Sequence, residues 1–305
     1  MPALLLLLSG CASIPEAVRE LPAGAALELD DAPFYPQERY QCGPAALMTA
    51  LTQSGADVAL DNIVEKVYLP GKKGSLQVEM LAATRTEGRL PYVIDGTLSA
   101  IRNELESGRP VVVLQNLGVA AIPRWHYAVV VGIDADRGEV ILRSGTDRRR
   151  ITSTRTFLYT WRRGDYWAMV VLRPDELPAT VNRERYYAAI AALEQTGRLE
   201  AAALAWRTAE NRWPGDPVVL FGLGNVESAL RNFAAAETIY LALLKLDGSL
   251  LVVRNNLALV LAEQGQFAAA INEIGTALER NDDPALEAEL RDTERMILAM
   301  RAAGQ

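Results

Sequence analysis

The sequence predicts two folded parts in tandem, an α+β domain over residues 32–174 and an all-α repeat stack over residues 183–305. Three observations predict them. In the first stretch helical patterns precede β-branched runs, the segregated order of α+β folds. From Arg183 onward the apolar patterns are helical and recur with a period of 34 residues. Between them, Leu172-Arg173-Pro174-Asp175-Glu176-Leu177-Pro178 has the prolines and charges of a linker, set at residues 175–182. A chain of 305 residues, 50% of them hydrophobic, can bury two such cores.

At the N-terminus, Leu4 to Leu8 form a leucine run followed by Ser9-Gly10-Cys11. An apolar segment ending in small residues before a cysteine resembles a bacterial lipobox. Residues 1–11 are therefore expected to be a lipoprotein signal, with Cys11 acylated. No lysine or arginine precedes the leucines, which departs from the usual signal. Ala12 in place of an aspartate implies, by the sorting of such lipoproteins, an outer-membrane anchor facing the periplasm. Residues 12–31 mix Pro, Gly, Ala and acids without a period and read as a tether. With Cys11 acylated, Cys42 is a lone cysteine in an oxidising compartment, which points to chemistry. A Cys11–Cys42 disulfide is the structural alternative.

Ala32-Pro33-Phe34-Tyr35-Pro36 leads to Gln37 and Cys42-Gly43-Pro44. Pro44 suits a first helical turn, and Ala45 to Leu51 are strong helix formers. Cys42 thus falls at or just before a helix N-terminus, where unpaired N–H groups and the helix dipole favour a thiolate. Helices are expected at about 59–67 and 75–87, separated by the turn Leu69-Pro70-Gly71-Lys72-Lys73-Gly74. A short strand spans Leu90 to Ile94, and Thr97 caps a helix running to Glu106. Val111 to Gln115 is a strand and Asn116 to Arg124 a loop. Trp125 to Asp134 is a β-branched run holding His126, the one histidine in the chain. After the turn Asp134–Gly138, Glu139 to Arg143 returns antiparallel, with further strands at Arg150–Thr152 and Tyr166–Leu172. A base on a rigid strand facing a cysteine on a helix end is what a Cys–His pair requires.

Gln-x₄-Cys-Gly-Pro-Ala-Ala-Leu, followed by His-Tyr-Ala-Val-Val-Val-Gly-Ile-Asp, resembles the bacteriocin-processing (double-glycine) cysteine peptidases. The resemblance covers about half the chain, roughly Ala32 to Pro174. It implies a papain-like fold with Cys42 as nucleophile, His126 as base and Gln37 as an oxyanion donor. Gln37 stands one residue closer to the cysteine than in the most familiar spacing. The third triad residue departs from the family's Asp-Pro, because Ser144-Gly145 occupy that slot. Asp147 is the first candidate to orient His126 and Ser144 the second.

In the C-terminal part, units start near Arg183, Pro217 and Leu251. Gly197, Arg231 and Gly265 recur at the turn, Ala202, Ala236 and Ala270 at the close-packing position, and Trp206, Tyr240 and Ile274 after them. This pattern resembles the tetratricopeptide repeat, three units closed by a capping helix from Pro284. The resemblance implies a solenoid whose groove takes a protein partner.

Net charge is −7, and the basic run Arg148-Arg149-Arg150 lies among strand formers, so it reads as a solvated face. That balance argues against nucleic acid as a partner. With one histidine and one cysteine left after processing, no metal is expected, and no cofactor. The expected activity is a membrane-anchored cysteine peptidase acting on a peptide or protein recruited by the repeats. The alternative is a non-catalytic peptide-binding lipoprotein with a degenerate peptidase domain.

Overall fold

The computed structural model describes residues 25–37, 41–119 and 121–303. The signal, Cys11 and most of the tether lie outside the described residues. The chain divides into two compact units. One takes the chain up to Glu87, Pro91–Val171 and Pro178–Thr180, and the other takes Gly88–Leu90, Leu172–Leu177 and the chain from Val181. The stretch read as a linker is therefore built into the units. In the first, the Ala179 N–H donates to Glu104 Oε1 at 2.8 Å. In the second, the Tyr186 hydroxyl donates to the Glu176 carbonyl at 3.0 Å.

The first unit is organised around helix α1 (Cys42–Gln53). Residues Gly43 to Leu51 are buried without a break, so the helix is apolar around its circumference and sits inside the core. Helices α2 (Leu60–Val67) and α3 (Gln77–Thr86) pack beside it, with Ile63, Val67 and Met80 meeting Leu47 and Leu51. Helix α4 (Leu98–Glu106) begins where Thr97 Oγ1 accepts the Ala100 N–H at 3.0 Å, the expected cap.

Seven strands form the sheet: β1 (Leu27–Glu28), β2 (Leu90–Val93), β3 (Val111–Asn116), β4 (Trp125–Asp134), β5 (Glu139–Ser144), β6 (Asp147–Ser153) and β7 (Ala168–Leu172). Their order is β2-β7-β3-β4-β5-β6, with β1 pairing antiparallel to β4. Strand β4 lies centrally and packs on α1, Val129 and Val131 entering the same core as Leu47. Strand β6 is exposed through Asp147–Ile151, and its arginines deter pairing with another chain at this edge.

The structure makes two local changes, adding an element and moving a boundary. Residues 154–162 form helix α5 (Thr154–Arg162), which the threonine-rich sequence disguises. Ser153 caps it by accepting the Thr156 N–H at 3.2 Å, and buried Phe157, Leu158 and Trp161 anchor it, so tertiary packing overrides weak propensity. The second change concerns residues 25–31, which belong to the domain and not to a tether. Leu27 pairs with Ile133 and Glu28 with Gly132. The Arg143 guanidinium, 4% exposed, donates to the carbonyls of Leu29, Asp30, Ala32 and Arg148. One buried cation thus ties the backbone that follows β1 to the edge strand.

In the second unit, helices α6 (Arg183–Glu194), α8 (Pro217–Ala229) and α10 (Leu251–Glu263) alternate with α7 (Leu199–Arg212), α9 (Phe233–Leu246) and α11 (Phe267–Arg280). Both sets start at intervals of 34 residues, and α12 (Pro284–Ala303) follows. Ala202, Ala236 and Ala270 are fully buried where the helices of each pair approach. At the hairpin turns Gly197 and Gly265 adopt φ +76°, whereas Arg231 holds the left-handed region at φ 62°. Its side chain offsets that strain by stacking on Phe233 at 5.1 Å and pairing with Glu263 at 3.3 Å.

Arg143→Met should leave the Asp30, Ala32 and Arg148 carbonyls short of a donor and cost about 3 kcal/mol. The check is urea unfolding followed by tryptophan fluorescence; an unchanged midpoint would remove Arg143 as the anchor of residues 29–32.

Candidate active site

A cleft of about 1090 Å³ opens in the first unit at the N-terminus of α1. Gln37, Cys42 and His126 all line it, as do Ser75 and Trp125. Cys42 is a free thiol at the first position of α1, with no side-chain cap ahead of it, so the first-turn N–H groups face the cleft end of the helix. Gly43 follows because there is no room for more: a Cβ there would overlap the Ser75 hydroxyl and come within 2.6 Å of Ser75 Cβ.

His126 is the second residue of β4, paired with Gln115 of β3. Its Nε2 lies 2.8 Å from Ser144 Oγ, and Ser144 is 4% exposed at the end of β5. The imidazole is therefore oriented by a hydroxyl, and Nδ1 is the nitrogen left for proton transfer. Asp147 lies elsewhere. It opens β6 across the tight turn from Ser144, is 59% exposed and faces Arg150 at 3.8 Å. The partner of His126 is thus the second sequence candidate and not the first.

The same turn holds the glutamine. The Gln37 N–H donates to the Gly145 carbonyl at 3.1 Å. Ser144 and Gly145, adjacent in sequence, thereby position two cleft residues that lie far apart in the chain.

The electrostatics favour uncharged groups. Burial pushes the Cys42 thiol up, and the N–H groups of Tyr127, Gly43 and Cys42 itself offset only part of this. Burial, with the charges of Arg150 and Arg124, lowers His126 to about 4. Among the described residues no carboxylate pairs with His126, and both shifts favour the thiol and the neutral imidazole. Burial, then the charge of a Cys42 thiolate, raises the Tyr127 phenol as well.

The sequence reading missed several cleft residues. Ser75 Oγ is buried without a hydrogen-bond partner among the described residues. Lys72, Lys73 and Arg124 line the cleft from two loops, and Trp125, 56% exposed, forms an apolar wall. A lone serine or a turn lysine has no periodic signature, so only the tertiary arrangement reveals these residues. Among the described residues, no group of three His, Cys, Asp or Glu side chains is placed to hold a metal ion.

Residues 29–167 match the Peptidase_C39 like family. This unit is a C39-like domain. Over 49% of the chain and 98% of the other, the structure resembles a C39-like peptidase from Bacillus anthracis at 14% identity and a TM-score of 0.41. It resembles the peptidase domain of Streptococcus ComA, a bifunctional ABC transporter of quorum sensing, at 17% identity and a TM-score of 0.38, over 46% and 98%. A further likeness is to SycD, the type III secretion translocator chaperone of Yersinia enterocolitica, at 20% identity and a TM-score of 0.37 over 40% and 84%. No curated protein matches the sequence.

The lowered His126 gives a signed pH dependence. Above the ordinary imidazole value of 6.5 the group is neutral folded or unfolded. As pH falls from 6.5 to about 4, the unfolded chain takes up a proton that the folded C39-like domain refuses, so stability is lost. The loss attributable to this group is on the order of 3 kcal/mol. Urea midpoints across that window should fall more steeply for wild type than for His126→Asn. Parallel curves would mean that His126 takes a proton as readily in the fold as in water.

Proposed function

We propose that the C39-like domain is a cysteine peptidase in which Cys42 is the nucleophile and His126 the base. The observation that carries this reading is the single cleft shared by Cys42, His126 and Gln37, with His126 Nε2 engaged by Ser144. Because the resting pair is uncharged, attack and proton transfer are coupled. As Cys42 Sγ bonds to the scissile carbonyl carbon, its proton passes to His126 Nδ1. The carbonyl oxygen takes the negative charge and meets the Gln37 side-chain amide and the N–H groups opening α1. Collapse breaks the C–N bond, His126 returns the proton to the leaving amine, and water, deprotonated by His126, hydrolyses the thioester. Ser144 orients the imidazole, and Ser75 offers a further hydroxyl beside the oxyanion.

Cys42→Ala should lower hydrolysis of a synthetic peptide mixture, read by mass spectrometry, by on the order of 10³-fold or more. Gln37→Ala should cost on the order of 10²-fold, as one donor of the oxyanion site is lost. Residual cleavage within a few-fold of wild type in Cys42→Ala would remove the cysteine from the mechanism.

A second reading, a non-catalytic peptide-binding domain, draws on the serine in the place of the family's acid. Iodoacetamide distinguishes the two. A poised neutral pair gives slow alkylation at neutral pH that His126→Ala slows further, whereas in a bare scaffold the rate is indifferent to His126.

The second unit fits a tetratricopeptide-like solenoid that recruits a protein substrate or partner, and the N-terminal motif fits lipid attachment at Cys11 in a bacterial envelope. Among the described residues no helix is long and apolar enough to cross a membrane. A recess of about 1060 Å³ in the second unit is lined by Phe233, Thr238 and Ile239. Thr238→Trp, at an exposed helix position, should raise KM for a protein substrate several-fold and leave a short peptide unaffected. Equal KM shifts for both would end the recruitment reading. Acyl mass on the mature N-terminus tests the anchor, and a free Cys11 there would exclude it.

A further inference from the structure

The cleft of the C39-like domain gathers positive charge. Lys72, Lys73 and Arg124 line it, and among the described residues Asp165 is the one carboxylate in its lining. Arg150 adds its field at His126. The chain as a whole carries −7. Several arginines elsewhere are matched, Arg109 with Glu104, Arg149 with Glu28 and Arg254 with Glu273. Among the described residues no carboxylate lies within ion-pair distance of Lys72, Lys73 or Arg124. Three exposed cations with no ion-pair partner among the described residues stand around one cleft, where a ligand can reach them.

The loops that carry them are closed by their own hydrogen bonds. The Leu69 N–H donates to the Gly74 carbonyl at 2.8 Å, and the Lys72 N–H to the Leu69 carbonyl at 3.0 Å. Lys73 is held in the left-handed region at φ 50°. Across the cleft, Asn116 Oδ1 accepts the N–H groups of Gly118 and Arg124 at 2.9 and 2.8 Å. Arg163 clamps the Asn116 and Gly118 carbonyls from the other side. Charges on closed loops lose less freedom on pairing than charges on open ones. Beside them stand Leu76, 44% exposed, and Trp125.

We propose that this cleft selects acidic peptide segments, with Lys72, Lys73 and Arg124 as the specificity-determining residues. The inference rests on the peptidase reading of the same site and names its substrate class. The cations meet carboxylate side chains flanking the scissile bond, while Trp125 and Leu76 take an adjacent apolar residue. A protein acidic overall repels an acidic peptide from most of its surface, so the positive cleft also gathers the peptide where it is to be held. A non-peptide polyanion would use the cations without the apolar wall, and the peptide is favoured because the two lie together.

The test uses three fluorogenic peptides alike except for Glu, Gln or Lys at the flanking positions. Turnover is measured with the full wild-type chain and binding with Cys42→Ala, by fluorescence polarisation. Both are repeated with Lys72→Gln, Lys73→Asn and Arg124→Gln combined, asparagine being chosen because it tolerates the left-handed turn. The Glu peptide should exceed the Lys peptide by about tenfold at low salt, the ratio shrinking at high salt and approaching one in the triple variant. Equal handling of the peptides, or a preference that survives the triple substitution, would overturn the proposal. So would displacement of the Glu peptide by dextran sulfate as readily as by an unlabelled Glu peptide at matched charge. If no peptide is cut but binding shows the charge preference, recognition stands and the peptidase reading falls. Cleavage without preference gives the reverse.

Discussion

Ser144 Oγ lies 2.8 Å from His126 Nε2, and much else at the cleft follows from that contact. It fixes which imidazole nitrogen remains for chemistry. Being a hydroxyl, it supplies no charge to hold an imidazolium, so burial and the nearby arginines determine the protonation state. The next residue takes the Gln37 N–H, and the strand that ends in Ser144 carries Arg143, which holds residues 29–32. Strand β5 and its turn are therefore the frame on which the glutamine and the histidine are mounted. The cysteine comes from the other side, at the tip of a helix enclosed by core. A sheet end and a helix end meeting at one cleft is the arrangement that the α+β order allows.

Much of this was legible in the sequence. The Cys42 helix start, the Thr97 cap, the histidine strand and its return rest on local chemistry, and local chemistry decided them. Two places resisted. The acid for His126 was sought at Asp147, the nearest carboxylate, but a tight turn after Ser144 sends Asp147 onto an exposed edge strand beside Arg150. The serine that contacts the ring carries no charge to draw notice. Helix α5 went unread because threonines and aromatics are weak helix formers, and buried Phe157 and Trp161 anchor it. The cleft cations are a third kind of case: each is an ordinary surface residue, and only their convergence distinguishes them.

The repeat half was the more predictable because its regularity is written several times over. Helix starts fall on the period of 34, and alanine stands wherever a helix pair closes up. Departures then stand out against the pattern. Arg231 replaces a turn glycine, and its ring contact and ion pair show what the substitution gained. The same comparison is impossible in the first unit, where each element occurs once.

A thiol whose ionisation is opposed by burial has a further consequence. Oxidants and disulfides react with the thiolate, and a cysteine whose ionisation is suppressed by burial presents very little of it. Burial of Cys42 thus favours the less reactive form of its sulfur. Any reaction that needs the thiolate at this position therefore has to supply the ionisation that the surroundings withhold.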